Sequence, residues 1–488
     1  MMIRTREEYI KSLKSMRPNV YKFGELIEDV TTHPATCKAV ESHARGFDGA
    51  NDPAEKEIFV TTSSLTGKEI MRHTSLMLSL EDIMNNSRLK RTMYRKCGTC
   101  TCGFCVGWNA QNVMWAVTAD MDEEYGTEYH QRLKQWLLAA EDSGILVAGA
   151  LTDAKGDRSM KPSDQPDPDS NLHIVEYRDD GIVITGCKAM ICGVAASEEI
   201  FLLPGSGYKE TDKDYALSCV LPKDIEGLTI IETRHASDCR DLEEGFDAPA
   251  TGVTQAYLVF DHVFVPKARV FMAGEFKYSG KVIEYFTANY RACIGACVAG
   301  QGDVMIGAGV LMARANGLAV KPFKDKMITM SVNNETTYAV GIGAMALGKP
   351  HRTGVWLSNN KVAHVNKIHV ASLPYETKRL CQEIGGGIVE TGCFPSYRDF
   401  TDPKLGPVIQ RYVKAGREVS AETRARAARL SEWLTLGGGV PGCMHGGGSP
   451  DGARMVVHAN TPYEEFAAYA KIIAGITEDV KEPGNVKR

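Results

Sequence analysis

The sequence predicts an α+β protein in which a β region lies between two helical regions. Three observations carry this. Residues 1–142 hold apolar residues at helical spacing. Near Gly144 the pattern changes to short runs of period-two alternation, which continue to about residue 272. From about Tyr278 helical spacing returns, and no proline interrupts residues 281–321. The expected boundaries are therefore 1–142 for an N-terminal helical domain, 143–272 for a middle β domain and 273–488 for a C-terminal helical domain.

In chain order, Thr5 with Glu8 three residues later reads as a capping box ahead of an amphipathic helix. Residues 63–86 and 129–142 carry helical spacing, and residues 106–115 read as a buried helix. In the middle region, residues 173–177 and 182–185 flank Asp180-Gly181, a strong hairpin signal. Residues 199–204, 215–221 and 257–266 continue the strands. The long apolar stretch that opens the last region predicts a core helix, followed by helices over 323–347, 355–382, 421–436 and 463–476. Gly385-Gly386-Gly387 closes the third of these regions, and Gly437-Gly438-Gly439 follows the fourth as a cap and loop. There is no internal repeat.

The composition is that of an ordinary globular protein, with 43% apolar and 24% charged residues. A net charge of −5 gives no electrostatic reason to expect nucleic acid or an anionic membrane as partner. No run of 18 apolar residues predicts a membrane span, and the N-terminus lacks the apolar core of a secretory signal. A cytoplasmic protein is expected. In a reducing compartment the 14 cysteines are buried, reactive or metal-binding sooner than disulfide-bonded.

Two thiol groups stand out. The first is Cys97-x2-Cys100-x-Cys102-x2-Cys105. The second is the pair Cys293 and Cys297, which share one face of the long helix at i,i+4. Thiolates at such spacing can share a zinc ion or an iron–sulfur cluster if the backbone bends, and buried small side chains or redox chemistry would satisfy the same pattern. Thr152-Asp-Ala-Lys155-Gly-Asp-Arg158, between the first two regions, reads as a cofactor crevice or a solvated turn. Gly385-Gly386-Gly387 leaves backbone open to a pyrophosphate or serves as a helix cap. His445-Gly-Gly-Gly-Ser449 reads as an anion-binding helix start or a plain loop.

Nearly end to end, the chain resembles the flavoprotein family of 4-hydroxybutyryl-CoA dehydratase and 4-hydroxyphenylacetate 3-monooxygenase, with the dehydratase branch the nearer. The segments that carry the resemblance begin at Val20 (Val-Tyr-Lys-Phe-Gly-Glu), Thr152, Asp179, Thr211, Val259 (Val-Phe-Asp-His-Val-Phe-Val-Pro), Gly302, Pro374 and Met444 (Met-His-Gly-Gly-Gly-Ser-Pro). The resemblance implies an acyl-CoA dehydrogenase-like fold with a middle β-barrel and a C-terminal four-helix bundle, bound FAD and a homotetramer. It implies Thr152, Lys155 and Arg158 near the FAD from one subunit, and Gly386 and Gly387 from a neighbour. The dehydratases hold a [4Fe-4S] cluster by three cysteines and a histidine. Matching the segments puts two of those cysteines on Cys105 and Cys297, the third on Thr101 and the histidine on Tyr290. A tyrosine near the substrate falls on Ile294, and two catalytic glutamates fall on Gln255 and Gly442.

Cys102 and Cys293 each lie one helical step from a lost ligand, so the expected cluster set is Cys102, Cys105, Cys293 and Cys297. With no imidazole on the iron, Tyr290 and His445 are the expected proton carriers. The leading function is a FAD enzyme acting on an acyl-CoA or similar carbonyl compound by dehydration, isomerisation or related redox chemistry. The runner-up is a reduced-flavin aromatic monooxygenase served by a separate flavin reductase. A third reading is a non-catalytic redox-sensing homologue.

Overall fold

The computed structural model describes residues 3–154, 156–234, 254–416, 418–436, 446 and 448–478. The first helix, Arg6–Lys14, starts from the expected capping box: Thr5 Oγ1 accepts from Glu8 N–H, and the Glu8 carboxylate accepts from Thr5 N–H. Helices Cys37–Asn51, Leu80–Cys97, Val106–Tyr125 and Tyr129–Ser143 follow.

Helical spacing over 63–86 is realised only at its end. Ser79 Oγ accepts from Asp82 N–H, and that cap starts the Leu80–Cys97 helix. Upstream, Val60–Thr62 and Glu69–Met71 pair as a hairpin turned at Gly67, φ 71°. The β-branched run Val60-Thr61-Thr62 favours strand, and the glycine supplies the left-handed turn.

The strands form two open sheets. One has six strands in the spatial order Glu25–Ile27, Val20–Lys22, Leu228–Glu232, Gln255–Pro266, Gly181–Cys192 and His173–Arg178. The other has four: Val270–Ala273, Leu217–Pro222, Glu199–Leu202 and Val147–Ala150. The hairpin at Asp180-Gly181 forms as expected, with Arg178 opposite Gly181. The expected closed barrel does not form: among the described residues no ladder joins the two sheets. The Val147–Ala150 edge is covered by the Val106–Tyr125 helix, which removes the unpaired edge that closure would otherwise remove. The large sheet also reaches outside the 143–272 span, because Val20–Lys22 runs parallel to Leu228–Glu232.

The long helix is Phe276–Ala315. It packs against Leu80–Cys97, Val106–Tyr125, Lys324–Ala346, Asn360–Val370, Leu373–Gly385 and Ala421–Leu436. The single helix expected over 355–382 is two. Asn360–Val370 ends before Ser372, and Pro374, which has no N–H to donate, sits in the first turn of Leu373–Gly385. By length and composition the long helix could cross a membrane, but 61% of its most apolar window is buried inside the protein.

Small residues let the long helix approach its partners. A side chain at Gly295 would run into the Thr337 carbonyl, and one at Gly300 into the Arg91 carbonyl. Gly295→Ala is therefore expected to push the Lys324–Ala346 helix outward and lower stability by about 1–3 kcal/mol. The urea midpoint, compared with that of an Ala substitution at the unobstructed Gly307, checks this.

Candidate functional site

A cavity of about 520 Å³ opens where the N-terminal helices, the ends of both sheets and the long helix meet. Its walls are largely apolar. Three cations line it, Lys90, Arg158 and Arg291, and no carboxylate does so among the described residues.

One wall is the thiol-rich corner between two helices. Gly98, at φ 69°, ends Leu80–Cys97; a tight turn spans Cys102–Phe104; Val106–Tyr125 then begins. This is the bent backbone that shared thiols require. Buried aromatic groups hold the corner in place. Phe104 lies between His43 and His73, at ring-centroid distances of 6.1 and 4.6 Å. Trp108 Nε1 donates to the Gly103 carbonyl at 3.0 Å. His43 Nδ1 lies 2.7 Å from the Ala39 carbonyl, and its Nε2 accepts from Gly103 N–H at 3.3 Å. That pair of contacts assigns the proton to Nδ1 and a neutral ring. Burial pushes the pKa of His43 down to about 4 and that of His73 to about 3.

The thiols meet as two groups. Cys102 has its strongest neighbours in Cys100 and Cys192, and Gln255 Nε2 donates to Cys192 Sγ at 3.2 Å. Cys105, Cys293 and Cys297 interact with one another on the other side, with Cys100 between the groups. Of the expected four, Cys105, Cys293 and Cys297 have one another as neighbours, and Cys102 has Cys100 and Cys192. Cys293 is buried behind the cavity wall, whereas Cys100, Cys102, Cys105, Cys192 and Cys297 line it. Burial raises the Cys105 thiol to about 11 and Cys297 well above the usual thiol range.

Lys90 enters the second group. It is 5% exposed and donates a hydrogen bond to Cys105, with Cys293 and Cys297 as its other near neighbours. Burial opposes its charge, and attraction to Cys105, Cys293 and Cys297, felt once those sulfurs ionise, holds its pKa above the usual lysine value. Thr101 and Tyr290 stand at two family ligand positions, and Cys102 has its strongest neighbours outside the group of Cys105, Cys293 and Cys297. No group of three or more His, Cys, Asp or Glu side chains among the described residues is arranged to hold a metal ion.

Tyr290 lines the cavity and stacks on Phe286, with centroids 5.6 Å apart and planes 9° apart. Burial, then the neighbouring sulfurs Cys105 and Cys100, push its phenol well above the ordinary range, so it is a neutral donor. Ile294 and Gln255 also line the wall. Thr152 and Arg158 line the mouth, and their loop is held from beneath. Lys188 Nζ lies 2.7 Å from Asp153 in a buried ion pair and donates to the Leu151 and Leu203 carbonyls, each at 2.9 Å. On the far side Lys367 donates to the Gly446 carbonyl at 2.6 Å, and Arg291 lies against Gly448. Gly386, at φ 77°, ends Leu373–Gly385 and does not line the cavity; nor does Gly387. Lys155, Gly442 and His445 lie outside the described residues.

Sequence reasoning missed Lys90 and Arg291. Lys90 had a signal: it sits on the buried stripe Ile83, Asn86, Met93, Tyr94 and Cys97, at i−7, i−4, i+3, i+4 and i+7, where a solvated lysine does not belong.

Comparison with known proteins places the whole chain. A family model described as 4-hydroxyphenylacetate 3-hydroxylase N terminal matches residues 5–272, and its C-terminal counterpart matches 279–475. The 4-hydroxybutyryl-CoA dehydratase/vinylacetyl-CoA-Δ-isomerase of Clostridium aminobutyricum is 36% identical over 97% of this chain and 100% of its own. An oxygen-tolerant archaeal 4-hydroxybutyryl-CoA dehydratase from N. maritimus has 37% identity and a TM-score of 0.94, covering 99% of this chain and 97% of its own. The oxygenase component of 4-hydroxyphenylacetate 3-monooxygenase from Thermus thermophilus is 25% identical over 90% of this chain and 89% of its own. A 4-hydroxyphenylacetate 3-monooxygenase oxygenase component solved with FAD shares the fold at 22% identity and TM-score 0.82, over 97% of this chain and 100% of its own.

The buried histidines make the corner acid-sensitive. The unfolded chain takes up protons near pH 6.5 that native His43 refuses until about pH 4. Stability is therefore unaffected by His43 above pH 6.5 and falls as pH drops from 6.5 to 4, by about 3 kcal/mol in all. Urea midpoints across that range should show the slope, and His43→Gln should reduce it.

Proposed function

The chain belongs to the 4-hydroxyphenylacetate 3-hydroxylase family, and on that premise we propose a FAD-dependent enzyme that acts on an acyl-CoA or similar carbonyl compound by dehydration, isomerisation or related redox chemistry. The observation that carries the reading is the 36% identity to a dehydratase along the full length of both chains, against 25% for the monooxygenase component from Thermus thermophilus. The reading includes the acyl-CoA dehydrogenase-like plan with boundaries near 142 and 272, a C-terminal helical bundle and a homotetramer.

The cavity suits a flavin. Its volume lies in the range of small-molecule sites, and it joins apolar walls to cations without a competing carboxylate. When bound, FAD supplies an acceptor and donor of electrons that no side chain here provides. Thr152 and Arg158 would hold it from one subunit, and the bare backbone at Gly386 and Gly387 would meet the FAD of a neighbouring subunit. Inside, Tyr290 holds its proton and donates a hydrogen bond to a substrate oxygen. The stacked Phe286 fixes the ring that does so. Cys105 and Cys297, raised by burial, stay as thiols and give the pocket a dry, polarisable wall. His445 enters as a second proton carrier on sequence grounds.

FAD titration of the apo-protein tests the first half. Arg158→Ala is expected to weaken FAD binding roughly tenfold or more. Incubating the FAD-loaded enzyme anaerobically with 4-hydroxybutyryl-CoA tests the second half, with loss of water as the expected outcome and Tyr290→Phe slower by about a hundredfold. Oxygen uptake with a phenol and a flavin reductase, and no reaction with the thioester, would transfer the assignment to the monooxygenase class.

A further inference from the structure

Burying a carboxylate is costly unless donors or a cation compensate it. Glu141, near the C-terminal end of the Tyr129–Ser143 helix, is 4% exposed. Ser63 Oγ donates to one of its oxygens at 2.6 Å. The other, Oε1, is buried with no hydrogen-bond partner. Burial pushes the Glu141 pKa upward, the Ser63 hydrogen bond opposes this, and among the described residues no cation offsets it.

Glu141 lines a second cavity, of about 440 Å³, between this helix, the hairpin of Val60–Thr62 and Glu69–Met71, and the N-terminal residues Ile3 and Arg4. This cavity shares no lining residue with the first. Ile70, Met71 and Leu138 give it an apolar wall. Its other charged groups are matched. Arg4 pairs with Glu198 at 2.5 Å, Lys68 with Asp142 at 3.8 Å and Glu69 with Lys56 at 3.0 Å. Glu141 therefore leaves the cavity short of one positive charge and one hydrogen-bond donor.

We propose that this second cavity binds a small aliphatic primary ammonium, whose head donates to Glu141 and whose stem lies on Ile70, Met71 and Leu138. An ammonium carries a full charge and three donors, so it supplies both of the missing elements, and its bond to a carboxylate is of the stronger, charge-assisted kind. The apolar wall favours an alkyl stem. A hard metal ion would need more oxygen ligands than one unmatched carboxylate provides. The volume lies in the range of small-molecule sites. The site goes beyond the flavin reading and uses none of its residues.

Calorimetric titration of the purified full-length protein with n-butylammonium chloride, at constant ionic strength, tests this. One saturable site per chain is expected. 1-Butanol, which has the stem without the charge, should bind at least about tenfold more weakly. Glu141→Gln keeps the shape of the side chain and removes its charge. It should weaken n-butylammonium roughly tenfold or more and leave 1-butanol unchanged. Gln135→Trp, at an exposed position on the rim, should obstruct the cavity and weaken both probes, and it keeps the test decisive should Glu141→Gln fail to fold. No saturable site in the native chain, or unchanged n-butylammonium affinity in either variant, would overturn the proposal. No flavin enters the titration, so failure here is distinct from failure of the FAD assignment.

Discussion

The close approach of the Phe276–Ala315 helix to its neighbours sets the rest of the structure. At Gly300 it lies against the backbone of the Leu80–Cys97 helix at Arg91, and at Gly295 against the backbone of Lys324–Ala346. Ionic contacts secure the first crossing: Arg91 and Arg95 both reach Asp303, at 2.9 and 2.7 Å. Lys90, one residue before that contact, has Cys293 and Cys297 among its near neighbours. The electrostatics of the site are thus a consequence of where two helices are allowed to touch.

Much of the fold was legible because it is written in local periodicity and punctuation. The capping box at Thr5, the Asp180-Gly181 hairpin and the uninterrupted helix around Cys293 are decided within a few residues of one another. What escaped was decided at long range. Val20–Lys22 becomes a strand because Leu228–Glu232 needs a neighbour some 200 residues away. The sheets stay open because a helix from another region covers Val147–Ala150. The Ser79 cap overrides the helical spacing upstream of it.

The candidate site divides along the same line. Helical steps bring Cys293 to Cys297, and the meeting of the two thiol segments at Cys105 follows from the matched family positions. Cys102 departs because residues 102–104 form a tight turn, which rotates its sulfur toward Cys100 and Cys192 and breaks the helical stripe on which it was counted. Lys90 lay hidden because a single lysine in an apolar stripe looks like an outward-reaching chain until the partner helix is in place. Thr152 and Arg158 reach the cavity through a loop whose position depends on the buried Asp153–Lys188 pair, which no local pattern announces.

The carboxylate-free lining has a thermodynamic corollary. An anion that settles among its cations meets no fixed like charge from the described residues of that lining. Any ligand that binds only the folded chain also adds to its stability, by an amount that grows with the logarithm of its concentration over Kd, so occupancy of the cavity is readable as a rise in Tm.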